Sequence, residues 1–305
     1  MNTPWSPGGE EHWTHKDGVR LFLWRKPPPA GTATRGVVLW IHGSSMAAQP
    51  TFDLQVPGRE DSSIMDWFAA RGFDSWCLDN EGYGRSDKHR PVNADLACGR
   101  DDIAAAVPYI RSVTGAQRLH LYGISSGALK AAMYAAIAPE SVGRLALEAM
   151  VWTGQDSPTL IERRKKLPQW LGSLRRPMTH ADIHRIFTRD REGLADPATV
   201  QRFAEAVLAL DSSIPNGTYV DMCSKLPTVN PWEIQVPTLV LRGEFDGIAA
   251  WPDVAGFFER LPNMDKQLNV LRGVGHGGLQ GHNHHIVYHL LHAFFSQPDP
   301  LPLAA

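Results

Sequence analysis

An apolar run at residues 119–122 passes straight into Gly123-Ile124-Ser125-Ser126-Gly127, and an alanine-rich helical pattern at 126–137 follows without a break. A strand that turns this sharply into a helix brings its own flanks together. Only very small residues fit two before and two after the apex. The apex residue is then held in a strained conformation with its side chain exposed. Ser125 occupies that apex.

The rest of the chain supplies the setting such a turn needs. Residues 11–25 alternate polar and apolar around Asp17-Gly18, a hairpin dipeptide that predicts two antiparallel edge strands. Residues 36–41 form a continuous apolar run, expected of a strand buried on both faces. A long loop is expected over 46–61. Ser62 or Ser63 then caps a helix over 64–71, stopped by Gly72. Further strands are predicted at 73–78, 144–149, 236–241 and 266–271. Helices are predicted at 95–113 (through Pro108, stopped by Gly115), 251–261 and 282–295. Strand–helix alternation with Val/Leu-rich strands predicts an α/β fold with a mostly parallel sheet covered by helices.

Residues 152–232 depart from this pattern. They show no convincing buried strand, two helical patterns near 180–190 and 197–210, and the basic clusters Arg163-Arg164-Lys165-Lys166 and Arg175-Arg176. The expected organisation is a core of residues 1–151 and 233–305 with a helical cap, 152–232, inserted over the C-terminal edge of the sheet. The 163–166 cluster reads most simply as a solvated helix face, with attraction of an anion as the second reading. The tail from residue 297 onward is expected to fray.

Composition removes several function classes. With 30 basic and 32 acidic residues the net charge is -2, so no basic excess replaces phosphate counterions and nucleic acid is not expected as a partner. No apolar run approaches the roughly 18–20 residues that span a bilayer. The first residues lack a basic segment followed by an apolar core, so no signal peptide is expected. Cys77, Cys98 and Cys223 are far apart and without metal spacing, which fits a reducing, cytoplasmic setting. The glycine-rich loops match neither phosphate-binding pattern, and no nucleotide cofactor is expected. His285 and His289 share a helix face at metal-ligand spacing, but no carboxylate or cysteine pattern stands nearby, so a solvated surface is expected and no metal.

A serine hydroxyl is a poor nucleophile until a base takes its proton, and a carboxylate must fix that base's tautomer and stabilise its charge. Two other strand-end loops lie downstream of the Ser125 elbow. The loop after residue 241 offers Asp246, and the loop after residue 271 offers His276 on Gly-flanked chain. Glu148, at the end of the strand after the elbow, and Glu244 compete with Asp246. His42 stands near the site but reads as a buried structural group.

The chain resembles the α/β-hydrolase superfamily over roughly residues 15–296. The resemblance rests on His42-Gly43, Gly82-Tyr83-Gly84-Arg85-Ser86, the Gly123–Gly127 elbow, Gly243-Glu244-Phe245-Asp246 and Gly275-His276, in the right order and after the right strands. It implies an eight-stranded sheet with a helical cap and a catalytic Ser125, Asp246 and His276. Asp246 is preferred over Glu148 because Gly-x-x-Asp at this loop is the commoner family pattern. The oxyanion hole is expected from the backbone N–H groups of Ser126 and Ser44, with Ser45 as the fallback. Serine at the apex sets the chain apart from family members with an aspartate nucleophile. The implied activity is hydrolysis of a small-molecule carboxylic ester through an acyl-enzyme. Hydrolysis of a carbon–carbon bond, an amide or a lactone is the alternative, and a hydrolase-fold binding protein is disfavoured by the filled nucleophile and base positions. Trp152 and Trp232 flank the expected cap and suggest an aromatic or medium apolar substrate, and the cap's basic residues leave room for one with a free carboxylate.

Overall fold

Asp17 and Gly18 both take positive φ, 49° and 78°, the backbone a type I′ turn requires. The chain doubles back there between β1 (Glu10–Lys16) and β2 (Val19–Lys26). The structure is a computed structural model, and residues 8–299 are described. In β3 (Gly36–Ile41), Val37, Leu39 and Ile41 pack into one core cluster and Val38 and Trp40 into another. Strand side chains alternate between faces, so a strand covered on both sides must be apolar throughout.

The chain continues through α1 (Ala48–Phe52), α2 (Ile64–Ala69), β4 (Phe73–Leu78), α3 (Leu96–Thr114), β5 (Leu119–Ile124), α4 (Ser126–Ile137) and β6 (Val142–Glu148). Residues 152–232 follow, with α5 (Pro158–Arg164), α6 (Leu167–Leu171), β7 (Arg175–Pro177), α7 (His180–Thr188), α8 (Pro197–Leu210), β8 (Ser213–Pro215) and α9 (Gly217–Ser224). The last elements are β9 (Thr238–Gly243), α10 (Trp251–Glu259), β10 (Lys266–Leu271) and α11 (His284–Phe295). The main sheet has eight strands in the order β1-β2-β4-β3-β5-β6-β9-β10. The β1–β2 and β2–β4 pairs are antiparallel and the rest parallel.

Helices α3, α4 and α10 cover one face, through residues such as Ile103, Leu129 and Phe257. Helices α1, α2 and α11 cover the other, through Phe52, Phe68 and Leu291. Trp40 and Phe68 meet edge-on with centroids 5.0 Å apart, and burying one such side chain contributes about 2–3 kcal/mol. Ser63 caps α2 by accepting from the Asp66 N–H, Asp95 caps α3 by accepting from the Cys98 N–H, and Gly115 ends α3 at φ 74°. Pro108 lies inside α3 with its own ring exposed, and the helix continues through it to Thr114.

Three expectations need correction. The stretch 46–61 is not all loop, because it contains α1. The Asp79 carboxylate, from the loop after β4, accepts from the Ala48 N–H at 2.7 Å, and a cap supplied from across the fold leaves no local signal. Residues 152–232 hold more than two helices, and β7 and β8 form a two-stranded antiparallel sheet. Finally, the first residues of the tail are tied down. Arg144 donates to the Gln297 and Pro298 carbonyls at 3.2 and 3.4 Å. Residues 1–7 and 300–305, at the start of the chain and the end of the tail, lie outside the described residues.

Candidate active site

The elbow explains its own glycines. A Cβ on Gly123 would stand 2.3 Å from the Gly127 carbonyl oxygen, and one on Gly127 would stand 2.3 Å from the Ile41 carbonyl oxygen. Both distances are far inside van der Waals contact. Between them Ser125 takes φ 57° and ψ -121°, a region that costs an L-residue about 1–3 kcal/mol. The Ser125 N–H donates to the Glu148 carbonyl at 2.9 Å, which fixes the turn to β6.

Ser125, His276 and Asp246, drawn from three separate loops, meet in one chain of hydrogen bonds. Ser125 Oγ is 2.8 Å from His276 Nε2, and His276 Nδ1 is 2.9 Å from Asp246 Oδ1. The same Oδ1 accepts from the Ile248 and Ala249 N–H groups at 2.8 and 3.0 Å. Burial alone would raise the Asp246 carboxyl, but His276 and the two amides outweigh it and hold the group below its ordinary value. Because the carboxylate only accepts, the proton on that side of His276 belongs on Nδ1. Nε2 is then free to accept from Ser125.

The competing acids go elsewhere. Glu148 accepts from Tyr122 Oη at 2.5 Å and from the Gly278 N–H at 2.7 Å, and burial raises its carboxyl to about 7. Glu244 accepts from the Gly273 N–H at 2.8 Å. Both brace the loop that carries His276. His42 is fully buried, with Nε2 accepting from the Asn80 N–H at 3.0 Å and Nδ1 bonded to the Gly43 carbonyl at 2.7 Å. Burial pushes its basicity well below normal, so it remains neutral and braces the loop after β3.

Ser44 and Ser126 lie side by side, with Ser44 Oγ donating to Ser126 Oγ at 2.8 Å. Their backbone N–H groups have no hydrogen-bond partner among the described residues, and the Ser126 N–H opens α4, where helix amides are free. Glu81, Cys98 and Asp102 cluster closely enough to hold a metal. Lys16 Nζ already fills that cluster, 3.1 Å from Glu81 and 3.3 Å from Cys98 Sγ and bonded to Asp102.

A cavity of about 110 Å³ opens at Ser125 and His276, with Ile186, Phe187, Leu194 and Phe203 from the segment above the sheet in its wall. A second chamber of about 390 Å³ adjoins it, and Ser45, Arg163, Ile186, Arg189 and Tyr219 line both. Trp152 and Trp232 line neither: Trp152 Nε1 donates to the Val229 carbonyl, and Trp232 is 59% exposed. The basic run 163–166 is not one solvated face, because Arg163 turns inward while Arg164 and Lys165 remain exposed.

Sequence reasoning missed Asp190. It lies just past α7, pairs with Arg189 at 2.8 Å, and accepts from the His276 N–H at 2.7 Å. No local pattern marks it, since the contact spans 86 positions.

An eight-stranded, mostly parallel sheet with a strained serine at the β5–α4 turn defines an α/β hydrolase. Residues 33–281 match the serine aminopeptidase, S33 family, and the chain belongs to it. Among solved structures it is similar to an esterase from Exiguobacterium antarcticum (16% identity, TM-score 0.69, covering 93% of this chain and 99% of that one). It is also similar to a soluble variant of monoglyceride lipase from Saccharomyces cerevisiae (19% identity, TM-score 0.69, covering 97% and 98%). A third is a monoacylglycerol lipase from Paleococcus ferrophilus (18% identity, TM-score 0.66, covering 90% and 98%). At these identities the likeness is one of fold. No curated protein matches the sequence. Among the described residues no helix is long and apolar enough to cross a membrane.

Proposed function

We propose that this protein hydrolyses a carboxylic ester of a small or medium substrate through an acyl-enzyme on Ser125. The observation that carries this reading is the unbroken hydrogen-bond chain from Ser125 Oγ through His276 to Asp246, at 2.8 and 2.9 Å, on a serine that lines a cavity.

In this reading His276 Nε2 takes the Ser125 proton as Oγ attacks the ester carbonyl, and Asp246 stabilises the imidazolium that forms. The Ser126 and Ser44 N–H groups donate to the tetrahedral oxyanion, each contributing about 3 kcal/mol of barrier lowering. His276 then passes its proton to the leaving alcohol. A water, deprotonated by the same histidine, releases the acid and regenerates Ser125. Residues 152–232 act as the cap, and their Ile186, Phe187, Leu194 and Phe203 side chains give the cavity its apolar wall.

Turnover of activated aryl esters by the wild type, covalent labelling of Ser125 by a fluorophosphonate, and loss of both in Ser125→Ala test the proposal. An unimpaired Ser125→Ala variant overturns it. A vinylogous diketone cleaved faster than every ester in a chain-length series would reassign the bond to carbon–carbon.

A further inference from the structure

Among the described residues, two of the guanidinium groups that line the two chambers have no carboxylate partner. Arg163 and Arg176 both lie over the Tyr219 ring, 4.4 and 3.7 Å from its centroid. Among the described residues Arg176 donates only to neutral acceptors: the Pro215 and Ser44 carbonyls, Asn216 Oδ1 and Ser45 Oγ. The Arg163 side chain has no hydrogen bond and no ion pair among the described residues, and its charged neighbours Arg189 and Arg176 repel it. The nearby acids are already engaged. Asp190 holds Arg189, Asp182 holds Arg185, and Glu162 holds Lys165.

Like charges taken out of water side by side, with no counter-ion, are unfavourable. A ligand that supplies the missing negative charge would relieve this. The location suits a substrate, because Arg163, Tyr219 and Ser45 line both the chamber at Ser125 and the larger one beside it, where Arg176 also faces. Ile186 lies in the wall of both chambers and offers an apolar contact for whatever connects the two ends of a ligand.

We propose that Arg163 and Arg176, with the Tyr219 and Ser45 hydroxyls, form a subsite for an oxyanion group, carboxylate or phosphate, at the far end of the ester cleaved at Ser125. The inference rests on the reading of Ser125 as the nucleophile. The substrate class is an ester with an apolar spacer and a terminal anion, of which a monoester of a dicarboxylic acid is the simplest. Guanidinium groups suit this role because their planar forks pair with the two oxygens of a carboxylate or phosphate.

The test compares p-nitrophenyl monoesters of linear diacids, adipic to sebacic, with the same esters whose free carboxylate is capped as a methyl ester. A third arm carries a terminal phosphonate. At one chain length and at pH 6 the wild type should favour the anionic ester by about tenfold or more in kcat/KM. That ratio should fall towards one in Arg163→Met and partly recover in Arg163→Lys. The better of the carboxylate and phosphonate arms identifies the anion. A ratio near or below one at every length in both arms, or a ratio unmoved by Arg163→Met, overturns the subsite. Calorimetric binding of the free diacids and of an alkylphosphonate to Ser125→Ala supplies a readout without turnover. Arg163-dependent binding in a protein that cleaves no ester would sink the Ser125 reading and leave the subsite standing. Ester cleavage with neither binding nor preference would do the reverse. Thermal melts confirm that each variant is folded.

Discussion

The Asp190 carboxylate accepts a hydrogen bond from the His276 backbone N–H at 2.7 Å, so the segment above the sheet holds the histidine that faces Ser125. Asp190 touches no reacting atom, which makes it a positioning residue. A histidine loop released by even a fraction of an ångström loses alignment with the serine, and misplacement of this kind costs roughly ten- to a hundredfold in rate. Asp190→Ala should therefore lower kcat and the rate of fluorophosphonate labelling by about that factor. Asp190→Asn, which keeps an acceptor oxygen, should lose less. A variant with a lower melting temperature but unchanged kcat and an unchanged pH–rate profile would show that the bond is only structural.

The Ser125 backbone makes a second prediction. At φ 57° and ψ -121°, alanine carries the same strain as serine and glycine does not, while glycine gains entropy in the unfolded chain. The balance favours Ser125→Gly over Ser125→Ala by about 1 kcal/mol in denaturant unfolding. Ser125→Gly less stable than Ser125→Ala, as the entropy of the glycine chain alone would dictate, would mean that the turn is not strained. Gly127→Ala should be far worse than either, because its new methyl meets the Ile41 carbonyl of a central strand at 2.3 Å. Overpacking of this kind typically costs about 1–3 kcal/mol, occasionally more.

These positions also mark what was legible in the sequence. The elbow, the Asp17-Gly18 hairpin and the strand-end loops carrying Asp246 and His276 are local patterns, and the fold assembles them as their spacing implied. The helix α1 was hidden because its N-terminal partner, Asp79, is 31 positions away. The Arg163–Tyr219–Arg176 stack was hidden for the same reason. It joins α5, β7 and α9, three short elements whose packing no periodicity reports. A basic run read as solvated became one inward arginine among exposed neighbours, a distinction set by tertiary contact alone.

Glu148 gives a pH prediction for stability. Burial raises its folded carboxyl to about 7, against an ordinary value of 4.5. Between those limits the folded state holds the proton more tightly than the unfolded chain, so stability falls as pH rises and the loss is complete above about 7. Glu148→Gln keeps an acceptor for the Gly278 N–H and a donor towards Tyr122, and it removes the titration. Relative to the variant, the wild type should therefore lose on the order of 3 kcal/mol between pH 4.5 and pH 8. Parallel pH–stability curves for the two proteins would rule this out, and the comparison cancels the contributions of Asp53 and Asp79, which burial raises to about 7 and 6.

Tyr219 gives the corresponding prediction for ligand binding. Burial by itself would raise its phenol, but Arg163 and Arg176 together outweigh burial, with smaller help from Ser45 and Arg189, and bring the group down to about 7. As pH rises through that value the phenolate forms between the two guanidinium groups and supplies the negative charge that an anionic ligand would otherwise bring. A diacid should accordingly bind Ser125→Ala most tightly below pH 7 and progressively more weakly above it. Tyr219→Phe added to that background leaves both arginines charged throughout and should flatten the decline between pH 6 and pH 8.5. The other charged groups facing this stack, Arg189 with its partner Asp190, Lys166, Glu162 with Lys165, Arg185 with Asp182, and His276 in the adjoining chamber, are common to both proteins. A decline that persists unchanged in the phenylalanine variant would therefore assign the pH dependence to one of them and not to Tyr219.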